Sequence, residues 1–449
     1  MIPAQDLVDT ALAASVADGC VVLVTDSSEA SLRWANSTMT TNGVSTSRSW
    51  AVVSVLGTSV GVVSSTSVEA ADVTAVVRAS EDAARAAGPA RDAAPLVTGS
   101  GEPDDWALAP AQTDITVFDT LVGELGAGFA SGPQLFGFAQ HQVDTTWLGS
   151  STGLRRRFTQ PTGSVEVNAK QDTSSAWGGA GTRDFTDVHL EAVLDDLAVR
   201  LGWGRRQVEL PAGRYETLLP SSAAADLMIY LAWSMEGRGA QEGHTALSRA
   251  GGTRVGEKLT DLPLTLAFDP TAAGLEYTPF VATTGSSDEI SVFDNGLAAE
   301  RVELVKDGVV NALIYPRAAA ATFGAPVAVP GDNLLLTGGG DADISEMVAG
   351  TERGLLLTCL WYIREVDPAS LLVTGLTRDG VYLIEDGKVT GEVNNFRFNE
   401  SPLDLLRRVT EVGATERTLA REWKDWFTRT ALPPMRIPDF HMSSTSQAR

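Results

Sequence analysis

Histidine and cysteine are the residues that could bind a metal or act as a base and a nucleophile, and in this chain they are few and scattered. No two histidines stand three, four or five residues apart, the spacings that would bring two ligands together on a helix. The two cysteines form neither a metal knuckle nor a disulfide framework. We predict that each histidine lies at the surface or is hydrogen-bonded in the core; the residues concerned are His141, His189, His244, His441, Cys20 and Cys359.

A cysteine nucleophile remains the alternative, with Cys359 as thiolate and His244 or His189 as base. Cys359 stands in the apolar run 355–361, which predicts a buried strand and a raised pKa of the thiol, so a structural cysteine is the favoured interpretation. The run Gly338-Gly339-Gly340-Asp341 lacks the Lys-Ser/Thr of a phosphate-binding loop and the six-residue dinucleotide fingerprint. We interpret it as a turn.

Composition bounds the class of protein. A chain of 449 residues is too long to fold around a single hydrophobic core. A composition of 43% hydrophobic and 20% charged residues is typical of a globular protein. Asp and Glu number 57 against 34 Lys and Arg, which gives a net charge of −23 that repels nucleic acid. The run Arg155-Arg156-Arg157 is interpreted as a solvated strand face or loop. We expect no nucleic-acid partner.

Targeting and membrane signals are weak throughout. The first residues lack the basic and apolar regions of a signal peptide. The longest apolar stretch, 354–363, is about half of the ~20 residues that cross a bilayer. We expect a cytoplasmic protein with no membrane partner.

The N-terminal part alternates helical and strand-like periodicity. The pattern predicts helices at 5–18 (ending at Gly19), 70–87, 112–130 and 184–201 (opening at Asp184). It also predicts strands at 20–25 and 31–36, a hairpin at 47–68, a loop at 88–110 and strands within 136–170. This order indicates an α+β domain covering 1–205.

The chain from 206 to 449 has a different sequence pattern. It predicts many short strands separated by turn residues such as Asp307-Gly308, Asp379-Gly380 and Asp386-Gly387. An antiparallel, sheet-rich second domain is predicted. One helix interrupts it, with Ser221 and Ser222 available as N-caps before a segment through Trp233 that is apolar all round. The fold class is therefore α+β, with one buried helix in the second domain.

Several stretches, taken in order, resemble the TldD/PmbA family of two-subunit metallopeptidases, which includes TldD and TldE subunits and "modulator of DNA gyrase" proteins. The N-terminal matches are Arg33-Trp34-Ala35-Asn36 and Ser151-Thr152-Gly153-Leu154. The later matches are Pro211-Ala212-Gly213, Arg254-Val255-Gly256-Glu257, Phe293-Asp294-Asn295-Gly296, Lys306-Asp307-Gly308, Asp332-Asn333-Leu334 and Tyr382-Leu383-Ile384-Glu385-Asp386-Gly387-Lys388. The resemblance spans nearly the whole chain.

The resemblance implies where catalysis would reside. Catalytic TldD-type subunits carry H-E-x-x-x-H on the buried helix, where two histidines and a C-terminal cysteine bind zinc and the glutamate acts as general base. Aligned on that helix, this chain has Tyr230 and Met235 in place of the histidines and Leu231 in place of the base. The zone 425–437 contains no cysteine. The resemblance thus implies no catalytic residue, metal or cofactor in this chain, with zinc in a TldD-type partner.

The function implied is that of a TldE-like subunit acting in proteolysis of unfolded or extended peptides. Its partner would be a TldD-type subunit in a heterodimer, or a further copy in a homo-oligomer, with an extended peptide as substrate. Residues that could line the peptide path are Trp177, Arg353 and Arg364, and the glycines beside Trp177 predict that it lies on a loop. A Trp packed in the inter-domain core and solvated arginines are the simpler interpretations. An autonomous hydrolase with an unrecognised site and a non-proteolytic regulator remain alternatives.

Overall fold

The structure is a computed structural model that describes residues 2–67 and 69–446. Helices alternate with strands in the first part of the chain and are sparse in the second. In the described part the α-helices are α1 Ala4–Ala14, α2 Val73–Ala86, α3 Asp119–Phe129, α4 Leu190–Trp203, α5 Ser221–Trp233, α6 Gly237–Glu242, α7 Arg317–Phe323, α8 Ile344–Ala349 and α9 Pro402–Arg408. None of these helices is long and apolar enough to cross a membrane.

The strands differ in length between the two parts. The long ones come first: β1 Gly19–Ala35, β2 Thr38–Leu56, β3 Ser59–Ser65, β4 Gln134–Ser150, β5 Arg155–Gln171 and β6 Ser174–Thr182. Shorter ones follow: β7 Gln207–Val208, β8 Gly213–Leu219, β9 Ser248–Arg249, β10 Gly252–Thr253, β11 Thr265–Phe268, β12 Val302–Lys306, β13 Val309–Val310, β14 Leu334–Thr337, β15 Arg353–Leu357, β16 Leu360–Asp367, β17 Leu372–Thr377, β18 Val381–Glu385, β19 Lys388–Val393, β20 Phe396–Glu400, β21 Glu411–Val412, β22 Glu416–Thr418, β23 Thr430–Leu432 and β24 Met435–Thr445.

The first six strands form one antiparallel sheet in the order β3-β2-β1-β4-β5-β6. The helices α3 and α4 pack on one part of it, around Phe118 and Leu125, while α1 packs against another part. The predicted hairpin and loop are both present, with the hairpin turn at Gly57 and irregular chain through 88–110. The predicted end of that hairpin, Val68, lies outside the described residues.

Strand β1 is one continuous strand, so the prediction of two short strands was wrong. The polar residues in and between the two predicted strands are accommodated within the sheet. Arg48 donates from Nε and Nη2 to the two carboxylate oxygens of Asp26, at 2.5 and 2.6 Å. Because each charge has its partner, the strand continues through this position. An unpaired carboxylate there would destabilise the sheet.

Three helix boundaries and one charge interpretation also differ from prediction. Helix α3 begins at Asp119 instead of 112, after a short 3₁₀ turn at Ile115–Phe118. Helix α1 ends at Ala14, and Gly19 begins β1 instead of capping the helix. Helix α4 begins at Leu190 because Asp184 accepts from the Thr186 N–H within a preceding turn. The arginine run lies in β5 and is not solvated: the side chains of Arg155 and Arg157 are largely buried and pair with Asp9 and Asp105.

The second part of the chain contains a ten-stranded sheet with the path β16-β17-β20-β24-β8-β15-β18-β19-β7, on which β21 pairs with β24, and a six-stranded sheet in the order β13-β12-β11-β14-β23-β22. Most neighbours are antiparallel, which confirms the predicted sheet-rich α+β architecture; β8 with β15, β7 with β19 and β14 with β23 are parallel. The boundary at 205/206 stays a prediction.

Predicted Asp-Gly turns join several of these strands. Asp307 and Gly308 connect β12 to β13 with φ of 48° and 78°, and Asp386 and Gly387 connect β18 to β19 with φ of 49° and 74°. Two successive positive φ angles are the geometry of a tight hairpin turn, which Asp-Gly favours. The triple-glycine segment 338–340 is irregular chain in the connection from β14 to α8.

Helix α5 lies inside the second part, and nearly all of its residues are buried, as predicted. Its capping differs from the prediction: Pro220 is the N-cap, and the Ser221 hydroxyl instead donates to Glu416 at 2.5 Å. One buried position carries a charge-bearing group, Asp226. Burial raises the pKa of Asp226, and its Oδ1 accepts a hydrogen bond from the Glu422 N–H at 2.8 Å. The helix is therefore tied to the C-terminal segment as well as packed in the core.

Candidate functional site

Helix α5 carries the three positions at which the family resemblance places a zinc motif. Tyr230 is half-buried and lines an open cleft, whereas Leu231 and Met235 are 0% and 1% exposed and belong to the hydrophobic core. The helix ends at Trp233, and the Met235 carbonyl accepts from the Ile314 N–H at 2.9 Å in the following turn. Only one of the three side chains therefore reaches the cleft.

The cleft encloses about 640 Å³ beside the C-terminal end of α5. Its walls come from five separate parts of the chain: the end of α5 with the turn after it, residues 244–245 after α6, the segment 287–289, strand β16 with the residues that follow it, and Trp423. Charged groups around the cleft are mostly acidic. They are Glu236, Asp288, Glu289 and Glu365, with Arg364 and His244 as the basic residues.

One wall of the cleft is aromatic. The Trp233 and Trp423 rings meet edge to face with centroids 5.0 Å apart, and Tyr230 lies 5.9 Å from Trp423. The Trp423 indole N–H donates to the Asp226 carbonyl at 2.8 Å, so this ring is fixed to α5. Trp426 extends the cluster and is 69% exposed. Rigid, partly exposed aromatic rings of this kind offer contact area for apolar or cationic groups.

The acidic wall contains carboxylates that hold protons more tightly than usual. Burial, together with the nearby Glu236 and Asp288 charges, raises the pKa of Glu289 to about 7. The pKa of Glu236 is also raised, chiefly by burial and then by Asp288. Like charges in a half-buried place disfavour ionisation of both groups. The cleft can therefore hold a proton near neutral pH.

A Glu289→Gln variant is expected to be more stable than the parent protein at pH 8, and this gain should be much smaller at pH 5. A carboxyl group with a raised folded-state pKa stabilises the protein at low pH, and this contribution is lost as pH rises from about 4.5 to about 7. The gain at pH 8 should reach at least about 1 kcal/mol. Urea unfolding at both pH values measures it, with exposed Glu300→Gln as control. An equal effect of Glu289→Gln at both pH values would contradict the assignment.

Metal ligands are not clustered in the part of the chain that the structure describes. No group of three His, Cys, Asp or Glu stands close enough to hold a metal ion within residues 2–67 and 69–446. His141 is a hydrogen-bonded core residue: its Nδ1 lies 2.6 Å from the Thr113 hydroxyl and its Nε2 lies 2.9 Å from the Arg183 carbonyl. Burial lowers the pKa of His141. His244 lies at the cleft, while His189 precedes α4 and His441 lies in β24.

Cys359 does not resemble an activated nucleophile. It is fully buried and packs with Trp177 and Leu419, and burial strongly raises the pKa of its thiol. It lies between β15 and β16 instead of within one strand, so the predicted continuous strand was wrong at this point. In this connection the Thr358 N–H donates to the Gly380 carbonyl at 2.9 Å. A thiol held neutral in the core is a poor nucleophile.

The three residues considered for a peptide path are not brought together. Arg364 lines the cleft, is 62% exposed and lies 3.3 Å from Glu422. Arg353 is exposed at the start of β15 but is not among the residues that line the cleft. Trp177 lies in β6 instead of a loop; it is buried and its indole N–H donates to Glu166 at 3.0 Å. Trp177 is therefore a residue packed between the two parts of the chain.

Sequence reasoning missed most of the cleft. Asp288 and Glu289 sit in an irregular segment with no motif, and Trp423 follows it by more than a hundred residues. The one signal available was the exposed Trp233 at the end of an otherwise buried helix. An aromatic residue at such a boundary is typical of a site wall.

One comparison with known proteins identifies the family. Residues 212–444 match the model of the PmbA/TldA metallopeptidase C-terminal domain, which covers the region containing α5 and the cleft. No match was found among curated protein sequences.

Solved structures share the whole fold at low sequence identity. TldE from Thermococcus kodakarensis superposes with a TM-score of 0.77 at 15% identity, over 97% of this chain and 99% of that one. A protein from Bacteroides thetaiotaomicron, described as a candidate modulator of DNA gyrase, gives a TM-score of 0.77 at 16% identity over 98% of both chains. One so described from Thermotoga maritima gives 0.74 at 16%, over 94% and 95%.

Proposed function

The chain belongs to the PmbA/TldD metallopeptidase family, and from this premise we propose that it is a non-catalytic subunit that pairs with a TldD-type subunit. The partner would supply the zinc and the hydrolysis of extended or unfolded peptides. The observation that carries the proposal is the placement of Leu231 and Met235 in the core, at the positions of the general base and of one zinc ligand. The likeness to TldE in fold supports the same role.

The residues present do not fit a zinc ion. Leu231 has no ionisable group, and Met235 offers a neutral thioether that is buried away from the cleft. The phenol of Tyr230, at the remaining ligand position, has a raised pKa because of burial and the nearby Glu365 charge. A phenol that resists deprotonation is a weak ligand. We therefore derive no metal-dependent step for this chain.

The cleft beside α5 gives this subunit a role that does not need zinc. Its aromatic wall and acidic groups would form part of the surface along which an extended peptide lies, with Arg364 placed to pair with a carboxylate of the peptide. Arg353 and Trp177 are not in this surface. The proposed contribution is to bind and orient peptide while the partner carries out the hydrolysis.

The test is reconstitution with a TldD-type subunit from the same source. An unstructured peptide is incubated with this chain alone, the partner alone and the mixture, and zinc content is measured by mass spectrometry. We expect hydrolysis only where the zinc-bearing partner is present, faster in the mixture, and no stoichiometric zinc in this chain. Within the mixture, Arg364→Ala should raise KM several-fold, whereas Arg353→Ala should leave it unchanged.

Other outcomes select the alternatives. Cleavage by the lone chain would indicate an autonomous hydrolase with a site that no motif identifies. Failure to co-purify with any TldD-type subunit would favour a regulator that binds peptides without proteolysis. One tightly bound zinc per chain would overturn the interpretation of the α5 positions.

A further inference from the structure

Arg421 is a buried arginine without a counter-ion. It begins the turn that contains Trp423 and is 7% exposed. In the described ranges 2–67 and 69–446 no carboxylate forms an ion pair with its guanidinium, and its enclosed Nε has no hydrogen-bond partner. Taking a charge out of water is costly, and buried arginines are normally paired for that reason. A negative group from outside the chain would offset this cost.

The contact that Arg421 does make is with an indole ring. Its guanidinium carbon lies 3.1 Å from the centre of the Trp361 ring, and that of Arg378 lies 5.2 Å from a ring centre of the same indole. We call these three side chains the Arg-Trp stack. The Trp361 indole N–H and the Arg378 Nε are also enclosed, with no hydrogen-bond partner among the residues that the structure describes. Contact with the ring offsets part of the desolvation cost, but the stack still has an excess of donors and of positive charge.

The neighbouring carboxylates do not supply the missing charge. Asp379 is engaged with Arg378, whose Nε lies 3.8 Å away. Glu422, next in the sequence to Arg421, pairs with a different arginine at 3.3 Å. Burial raises the pKa of Asp226 well above its usual range, although the charge of Arg421 acts in the opposite direction. Asp226 therefore holds its proton more tightly than an ordinary aspartate and is a poor counter-ion.

The Arg-Trp stack is accessible from the surface. The terminal nitrogens of Arg421 are not among the enclosed atoms, and the Arg378 side chain is 38% exposed. Beside them β16 has a bulge, in which two residues stand opposite one residue of β17, and Tyr362 within it has a φ of 51°. The Tyr362 ring is 55% exposed and lies 5.6 Å from the Trp361 ring. Bulges and left-handed residues other than glycine are typical of strands beside functional sites.

We propose that the Arg-Trp stack binds a carboxylate of a ligand, through the terminal nitrogens of Arg421 and Arg378. A guanidinium presents its N–H groups as a planar fork, which a carboxylate matches with two hydrogen bonds. The net charge of −23 disfavours a doubly charged phosphate more than a singly charged carboxylate. The inference rests on the proposed function only for the source of the carboxylate, which is an acidic side chain or the C-terminus of a peptide.

Calorimetry on this chain alone, at one ionic strength, tests the proposal. The probes are three forms of a short unstructured peptide: uncharged and amidated, with a free C-terminus, and amidated with one glutamate. The carboxylate forms should bind at least about tenfold more tightly than the uncharged form, and the tighter of the two identifies the source. Arg421→Gln should remove this difference, and Arg421→Lys should restore only part of it because lysine lacks the fork. Arg353→Gln, at an exposed arginine outside the stack, should keep it.

A structural role for Arg421 predicts a different result. Arg421→Gln would then lower the urea midpoint and leave the difference between the peptide forms unchanged. Arg378→Gln is the second variant, at a half-exposed side chain, and it should weaken carboxylate binding several-fold without unfolding the protein. Equal affinity for the three forms, or a carboxylate preference that survives both substitutions, would overturn the proposal. Competition by inorganic phosphate but not by acetate would overturn it as well.

Acetate separates failure of this site from failure of the proposed function. Exchanging chloride for acetate should stabilise the parent protein and not Arg421→Gln, because a ligand that binds only the folded state raises its stability. If acetate does so while no peptide form binds, the site stands and the peptide-binding role fails. If neither acetate nor any peptide form binds, the proposal of a carboxylate site fails, whatever the mixture with a TldD-type subunit hydrolyses.

Discussion

An Asp294→Ala variant is expected to lose about 3–5 kcal/mol of unfolding free energy, because it leaves a partly buried guanidinium without its carboxylate. The Asp294 side chain is 2% exposed. The Arg317 Nε donates to Asp294 Oδ1 at 2.6 Å, and the Arg317 backbone N–H donates to Oδ2 at 3.0 Å. The same guanidinium donates to the Pro95 carbonyl at 2.8 Å, so the pair joins the loop of the N-terminal part to α7.

Urea unfolding at neutral pH measures this loss. The matched control is Asp82→Ala, which removes an exposed carboxylate from an i,i+3 pair with Arg85 on α2 and should change stability by less than about 0.5 kcal/mol. Because Asp294 lies five residues after the segment 287–289 that forms the acidic wall of the cleft, hydrogen exchange in 286–293 should also become faster. A loss of unfolding free energy no larger than that of Asp82→Ala would show that solvent replaces the carboxylate as the partner of Arg317.

The buried helix could be predicted from sequence, but the cleft beside it could not. Helix α5 is apolar at nearly every position, and that pattern alone indicates burial. The cleft needs Glu289 and Trp423 to meet the end of this helix, and their positions depend on how three sheets pack. No local periodicity encodes such a meeting. The family resemblance located the motif positions but not the residues facing them.

Trp177 illustrates how a local pattern can mislead. Its flanking glycines suggested a loop, but they lie in β6 because neighbours approach closely there. A Cβ at Gly178 would lie 2.9 Å from the Val193 side chain on α4, and a Cβ at Gly179 would lie 2.9 Å from the Val165 carbonyl. Glycine in a strand often marks such an approach. A glycine in a sequence can indicate either a turn or a close contact, and only the fold distinguishes the two.

A Leu231→Glu variant, which restores the general base of the catalytic motif, is expected to be destabilised by several kcal/mol and to gain no peptidase activity. The Leu231 side chain is 0% exposed in the core between α5 and the surrounding sheets. The same helix already buries Asp226, whose Oδ2 has no hydrogen-bond partner. A second carboxyl group at position 231 would be buried among the apolar side chains of the core, away from the cleft.

The pH dependence distinguishes this explanation from simple misfit. A buried glutamate has a raised folded-state pKa, so its destabilisation is least below the unfolded value of about 4.3 and grows as pH rises towards 8. Leu231→Met conserves volume and should cost less than about 1.5 kcal/mol at every pH. Unfolding at pH 5 and pH 8, with a peptidase assay in added zinc, separates the cases. A stable Leu231→Glu protein that hydrolyses peptide would mean that position 231 faces the cleft, and the assignment of this chain as a non-catalytic subunit would fail with it.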